Sequence, residues 1–298
     1  MCINGYQITS DFTSENAGLS RWAFCEKNGR EFFIKEFQSP VYPEESSDLS
    51  PRIIERKRSI CENFYRTKSE LYGLLKKCRT GNVVLIQDFF RSGPRYYAVT
   101  ERIHSKTINT SIVANLGVEQ KMTLMKSILY SMAILHKEGI VHADIKPDNL
   151  LLKETVDGFF AAKIIDFDAA FLINHQPKDI QGDFLYFAPE TFLKMRGEER
   201  RLTGKIDVFA LGILFYQYWV GAYPNFSGHY QYAFEAVLNN EEIPQKEQIP
   251  DIVFELICQM LSKEPEQRPT ASEVLSVMGV KVDNSQGTIS RVRKSRGF

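Results

Sequence analysis

Up to about residue 103, apolar positions alternate with polar ones in short runs, and beyond it they recur at helical spacing. The pattern therefore predicts a strand-rich part over 1–103, a helix-rich part over 104–279 and a polar, basic tail over 280–298 that reads as mobile. Trp22 to Phe37 predicts a hairpin: WAFCE and REFFIKEF flank Asn28-Gly29, a dipeptide suited to the positive φ angles of a tight turn. Its second strand sets Phe33, Lys35 and Phe37 on one face. Residues 39–51 read as a loop, and Arg52 to Cys78 as a long, charged, interrupted helix with Leu71, Leu74, Leu75 and Cys78 as its apolar stripe. Asn82 to Phe90 and Tyr96 to Glu101 predict two further strands joined through Ser92-Gly93-Pro94.

In the second part the spacing predicts helices near Glu119–Lys137, Lys205–Val220, Tyr230–Asn239, Val253–Ser262 and Ala271–Met278. Between the first two of these, Leu150 to Asp166 predicts a hairpin turning at Asp157-Gly158. The longest apolar run, Val208 to Tyr223, is broken by Gln217 and is shorter than the roughly 20 residues of a membrane span, so it reads as a helix buried in a protein core.

Thirty-seven basic side chains balance 37 acidic ones, so nothing in the charge predicts general attraction to nucleic acid or to a membrane. Any phosphate must be met locally. Five scattered cysteines, none at CxxC spacing, predict neither a disulfide framework nor a zinc site, and point to a reducing, cytoplasmic setting. The opening MCINGYQITSDFTSEN has neither the basic start nor the apolar core of a secretory leader.

The chemistry concentrates in IVHADIKPDNLLL at 140–152 and IIDFD at 164–168. A short loop between apolar strands holds Asp144, Lys146 and Asn149, and the following hairpin returns the chain to Asp166. That set suits phosphoryl transfer, in which catalysis is mostly placement and neutralisation of spread charge. Asp144 is placed to accept a hydroxyl proton, Lys146 to steady the moving phosphoryl group, and Asn149 with Asp166 to hold Mg²⁺, a hard ion that takes oxygen ligands.

At these residues the chain resembles the eukaryotic-like protein kinase superfamily, over about residues 6–278. His142-Ala143-Asp144-Ile145-Lys146-Pro147-Asp148-Asn149 is similar to the catalytic loop H-R-D-x-K-P-x-N, in its serine/threonine form, and Asp166-Phe167-Asp168 to D-F-G. Gly182 to Glu190 looks like the end of an activation segment, which implies that Glu190 pairs with Arg268 and that Asp207 anchors the catalytic loop. The resemblance implies an α+β, bilobal fold, with a small antiparallel sheet and one main helix in the first lobe and a larger, mostly helical second lobe. It gives Lys35, in Phe32-Phe33-Ile34-Lys35, the nucleotide's α- and β-phosphates, and pairs it with Glu70, or failing that Glu62. Thr100, Glu101 and Ile103 then belong to a hinge that meets adenine, Leu151 lies beneath the base, and Ala17 and Gly18 stand where a glycine loop covers the phosphates.

The departures from the family pattern carry their own expectations. Gly18 is alone where three glycines are usual, Phe33 replaces a small residue lining the adenine pocket, and Asp168 replaces a glycine. Ala143 replaces the arginine that pairs with a phosphorylated activation loop, and residues 169–182 contain no Ser, Thr or Tyr. The resemblance thus implies an ATP- and Mg²⁺-dependent kinase acting on Ser and Thr of protein substrates without phosphorylation of that span, with a separate regulatory protein as a candidate partner. The alternative is a pseudokinase, a nucleotide-binding module that transfers nothing. A kinase for small molecules is a third reading, opposed by Ala188-Pro189-Glu190 and Arg268.

Overall fold

In the computed structural model, which describes residues 1–15, 20–44, 49–78, 82–154, 160–226, 229–282 and 289–291, Asn28 and Gly29 take φ angles of 53° and 72°. This is the left-handed turn that joins strands at their natural twist. It links β3 (Ser20–Lys27) to β4 (Arg30–Phe37), with Trp22 opposite Lys35 and Phe24 opposite Phe33. Before them lie two short strands, β1 (Cys2–Ile3) and β2 (Tyr6–Ile8); after them come helix α1 (Pro51–Leu75), β5 (Ile86–Ser92) and β6 (Arg95–Glu101). The six strands form one sheet in the order β1-β2-β3-β4-β6-β5, every pair antiparallel. Residues 1–77 and 84–104 make up this first unit; residues 78–83 and 105–298 make up the second.

Strand alternation gives the first unit's sheet two faces with different coverings. Ala23, Cys25, Ile34, Tyr97 and Val99 line one face, and Ile3 and Tyr6 from the β1–β2 hairpin bury them. Each large side chain buried in this way contributes roughly 1.5–3 kcal/mol. On the other face, Phe64 and Tyr72 of α1 pack edge-on against Phe37, Phe89 and Tyr96. Helix α1 runs unbroken, where the sequence pattern predicts an interruption. Its charged middle continues because Cys61, Phe64 and Tyr72 extend the inner stripe beyond the leucines.

Glu36 is buried at the margin of the covered face. It accepts hydrogen bonds from Arg21 Nη2 (2.7 Å), Gln38 Nε2 (2.7 Å) and the Tyr97 hydroxyl (2.8 Å). Burial alone would raise its carboxyl, but the bonds from Arg21, Tyr97 and Gln38 outweigh it and hold the group below the usual 4.5.

The second unit is mostly helical: α2 (Thr110–Ala114), α3 (Val118–Lys137), α4 (Pro189–Met195), α5 (Lys205–Val220), α6 (Ala233–Leu238), α7 (Asp251–Met260) and α8 (Ala271–Val277). Helix α5 is the predicted buried helix, with every residue from Ile206 to Trp219 buried. Among the described residues no helix is long and apolar enough to cross a membrane. Short strands fill the gaps. β7 (Lys106–Thr107), β9 (Leu150–Glu154) and β10 (Phe160–Ile164) make one sheet, and β8 (Ile140–Val141) pairs with β11 (Phe171–Leu172). The predicted turn Asp157-Gly158 lies outside the described residues.

Two details differ from the sequence pattern. Asn82 and Val83 do not extend β5 but bond to Ile164, Asn82 accepting from its amide at 2.7 Å. Within the predicted tail, β12 (Val280–Val282) pairs antiparallel with β13 (Ile289–Arg291).

A buried ion pair holds the end of the second unit together. Arg268, 1% exposed, donates to both Glu190 oxygens (2.7 and 2.8 Å) and to the carbonyls of Ser262, Lys263 and Lys205, so all five of its N–H donors are used. Glu190→Ala strands that charge and is expected to lower the unfolding free energy by about 3–5 kcal/mol, read as an earlier urea midpoint. For Glu36, whose folded value is lowered, the stabilisation is complete above about pH 4.5 and lost as pH falls through the folded value. Urea midpoints of the wild type should therefore exceed those of Glu36→Gln above that pH, and the gap should close in acid.

Candidate active site

The loop between β8 and β9 is shaped from beneath by one carboxylate. Asp207, in the first turn of α5 and 1% exposed, accepts the backbone amides of His142 (Oδ2, 2.9 Å) and Ala143 (Oδ1, 2.8 Å). His136 Nε2 also meets Oδ2 at 2.9 Å. With both amides tied down, Ala143 is held at φ 63°, a left-handed conformation that a side chain adopts only at a cost of about 1–2 kcal/mol. The buried His142 ring packs on Phe167 at 4.9 Å and accepts the amide of Asp144 at Nδ1 (3.3 Å). Its proton therefore sits on Nε2, which donates to the Ile165 carbonyl at 3.0 Å.

This scaffold aims Asp144 through three donors. Lys146 Nζ lies 3.0 Å and Asn149 Nδ2 2.8 Å from Oδ2, and the Asp183 amide donates to Oδ1 at 3.1 Å. Asn149 Nδ2 also reaches the Asp144 carbonyl at 2.7 Å, closing the single helical turn Pro147–Asn149. Because the Asn149 amide nitrogen is spent on Asp144, its side-chain oxygen is the atom left to act as a ligand. The Ile165 amide donates to the Asn149 carbonyl (3.0 Å), tying the loop to the residue before Asp166. Asp166 itself stands at φ 60° and accepts the Asp168 amide at 3.2 Å.

The second unit thus brings Asp144, Lys146 and Asn149 into contact and couples them to the Asp166 segment. An amide oxygen and a carboxylate form a hard, oxygen-only donor set, which fits Mg²⁺ shared with phosphate oxygens. Among the described residues no group of three or more His, Cys, Asp or Glu could hold a metal ion. Leu151 is buried in β9, opposite Thr107.

The remaining candidates belong to the first unit. Lys35 is 9% exposed on β4, flanked in register by Trp22 and Ala98. Phe33 lies opposite Thr100 and stacks on Trp22 at 5.2 Å, with Phe24 edge-on at 6.4 Å. Arg102 covers the Phe24 ring at 3.8 Å and pairs with Glu31 at 2.8 Å. Glu101 is exposed and Ile103 half-buried at the end of β6; Glu70 and Glu62 are exposed on α1. Ala17 and Gly18 lie outside the described residues.

Three participants escape a reading by sequence. Asp183 and His136 act across long separations that no local pattern marks. Gly182 takes φ 125°, where an added Cβ would lie 3.0 Å from the Ala143 carbonyl oxygen, so its small size lets the Asp183 amide reach Asp144. The signal available for it was its place eight residues before Glu190.

The protein kinase domain model matches residues 52–278, and the chain belongs to that family. It is 30% identical over 204 residues to calcium-dependent protein kinase 6 of Plasmodium berghei, covering 65% of this chain and 13% of that protein. It is 29% identical over 216 residues to serine/threonine-protein kinase ssp1 of Schizosaccharomyces pombe, covering 67% of this chain and 32% of the relative. Calcium-dependent protein kinase 7 of Arabidopsis thaliana is 30% identical over 204 residues, 65% of this chain and 36% of its own length. The chain thus spans little more than a third of these relatives at most.

Asp207→Asn replaces an acceptor oxygen with a donor facing backbone N–H groups. Stability should fall by about 1–3 kcal/mol, and hydrogen exchange should show the His142 and Ala143 amides losing protection first.

Proposed function

We propose that the chain is an ATP-dependent serine/threonine protein kinase. The observation that carries this reading is the fixed Asp144 carboxylate, held by Lys146, Asn149 and the Asp183 amide. Such a group orients a substrate hydroxyl and takes its proton as the oxygen–phosphorus bond forms, while the γ-phosphoryl group leaves ADP. Lys146 offers its ammonium to the transferring group. Asn149 and Asp166 would hold Mg²⁺, which would supply neutralisation of the phosphate oxygens. Lys35 is assigned the α- and β-phosphates with Glu70 as its partner, and Thr100, Glu101 and Ile103 the adenine edge. The lysine two residues after Asp144 favours Ser and Thr over Tyr as acceptors. Phe184 and Leu185, 40% and 37% exposed just after Asp183, offer an apolar surface to the residue beside the acceptor. The five free thiols suit a reducing compartment, which we take to be the cytoplasm.

One observation favours a second reading, a binding module without transfer: Trp22, Phe24 and Phe33 crowd the sheet face that carries Lys35. Incubation with labelled ATP, Mg²⁺ and a general protein substrate separates the two. Label on Ser and Thr should appear with the wild type and drop at least about a hundredfold with Asp144→Asn, and Lys35→Ala should also lose transfer. Thermal stabilisation by ATP without transfer would instead support the binding module. Because residues 169–182 hold no hydroxyl side chain, phosphatase treatment should leave the transfer rate unchanged.

A further inference from the structure

Helix α1 is longer than the surface it covers. Its 25 residues span about 37 Å at 1.5 Å each, yet all four of its buried side chains, Cys61, Leu71, Tyr72 and Leu75, lie in its later part. The first ten residues, 51–60, bury none. At about 100° per residue, Ile53, Ile60, Phe64 and Leu71 fall along one line. Phe64 and Leu71 are spent on the first unit's core, whereas Ile53 and Ile60 continue the same stripe at 46% and 52% exposure.

The overhang is also strongly basic. Residues 51–60 carry Arg52, Arg56, Lys57 and Arg58 against Glu55 alone. None of those four cations forms an ion pair among the described residues. No acid occupies the first turn, where the helix dipole is itself positive. Lys57 falls between the two isoleucines on the same face.

We propose that the overhanging turns of α1 dock an acidic, amphipathic segment of a protein partner, one that presents apolar anchors to Ile53 and Ile60 with carboxylates between and beside them. Two apolar positions seven residues apart match the stripe of a second helix. The charge decides the partner's sign, since at about 100° per residue Arg56 and Lys57 flank the isoleucine line, and burying it against anything but an acidic segment would leave these two cations uncompensated. Because the aromatic clasp fixes the inner half of the same helix, a partner here also bears on Glu70. That consequence rests on the kinase reading, whereas the docking does not.

The test uses the purified full chain. A random-peptide phage library is selected on the wild type and depleted on the double variant Ile53→Ser/Ile60→Ser, whose substitutions are exposed and whose circular dichroism should match the wild type. Selected peptides should combine Asp or Glu with large apolar residues. Their synthetic forms should bind about tenfold or more weakly to Ile60→Ser and to Arg56→Glu/Lys57→Glu, and more weakly as salt rises. Recovery of no such peptides, recovery of peptides without an acidic excess, or affinities unmoved by the substitutions would overturn the proposal. So would phosphatidylserine vesicles that bind the wild type but not the double variant while no acidic peptide does, an outcome that assigns the patch to a membrane. Labelled-ATP transfer measured in parallel fails on its own if only the kinase reading is wrong.

Discussion

A single buried carboxylate carries the second unit's chemistry. Asp207 accepts three N–H groups inside a buried, mostly apolar helix, and taking a charge out of water is tolerable only with that full complement of donors. Two of the donors are consecutive backbone amides. The same bonds that make Asp207 tolerable therefore impose the left-handed turn at Ala143 and set the direction in which Asp144 leaves the loop. Strain at one residue and burial of one charge offset each other.

Further out, the same logic repeats with a cation. Arg268 gives all five donors to one carboxylate and three carbonyls, and so joins the start of α4, the start of α5 and the chain leading into α8. The segment from Gly182 to Glu190 is then held at both ends, at Asp144 by an amide and at Arg268 by a carboxylate. In the first unit the equivalent work falls to aromatic rings, which fasten α1 to its sheet, and to Glu36, which ties β3, β4 and β6 together through Arg21 and Tyr97.

What could be read from the sequence was whatever is local or strongly periodic. The Asn28-Gly29 turn, the buried α5 and the close set Asp144, Lys146 and Asn149 took that form, whereas the pairing of Glu190 with Arg268, 78 residues apart, was legible through family resemblance alone. The β1–β2 hairpin did not, because strands of two and three residues are too short to display alternation. Nor did the unbroken course of α1, whose inner stripe is made of Cys61, Phe64 and Tyr72 as much as of leucines. Asn82 and Val83 look like strand residues and do pair, but with Ile164, a choice that only tertiary structure makes. The pairing of Val280–Val282 with Ile289–Arg291 sits in a stretch whose polar, basic composition hides two short strands.

The family match begins at residue 52, inside the second residue of α1, whereas four of the six strands in the first unit's sheet precede it. A chain trimmed to the matched span would discard Phe37, one of the rings that grips Phe64, together with Ile34 and the whole strand bearing Lys35. The boundary of family likeness and the boundary of what can fold are different places in this protein, and the hairpin at its extreme N-terminus lies on the side that folding needs.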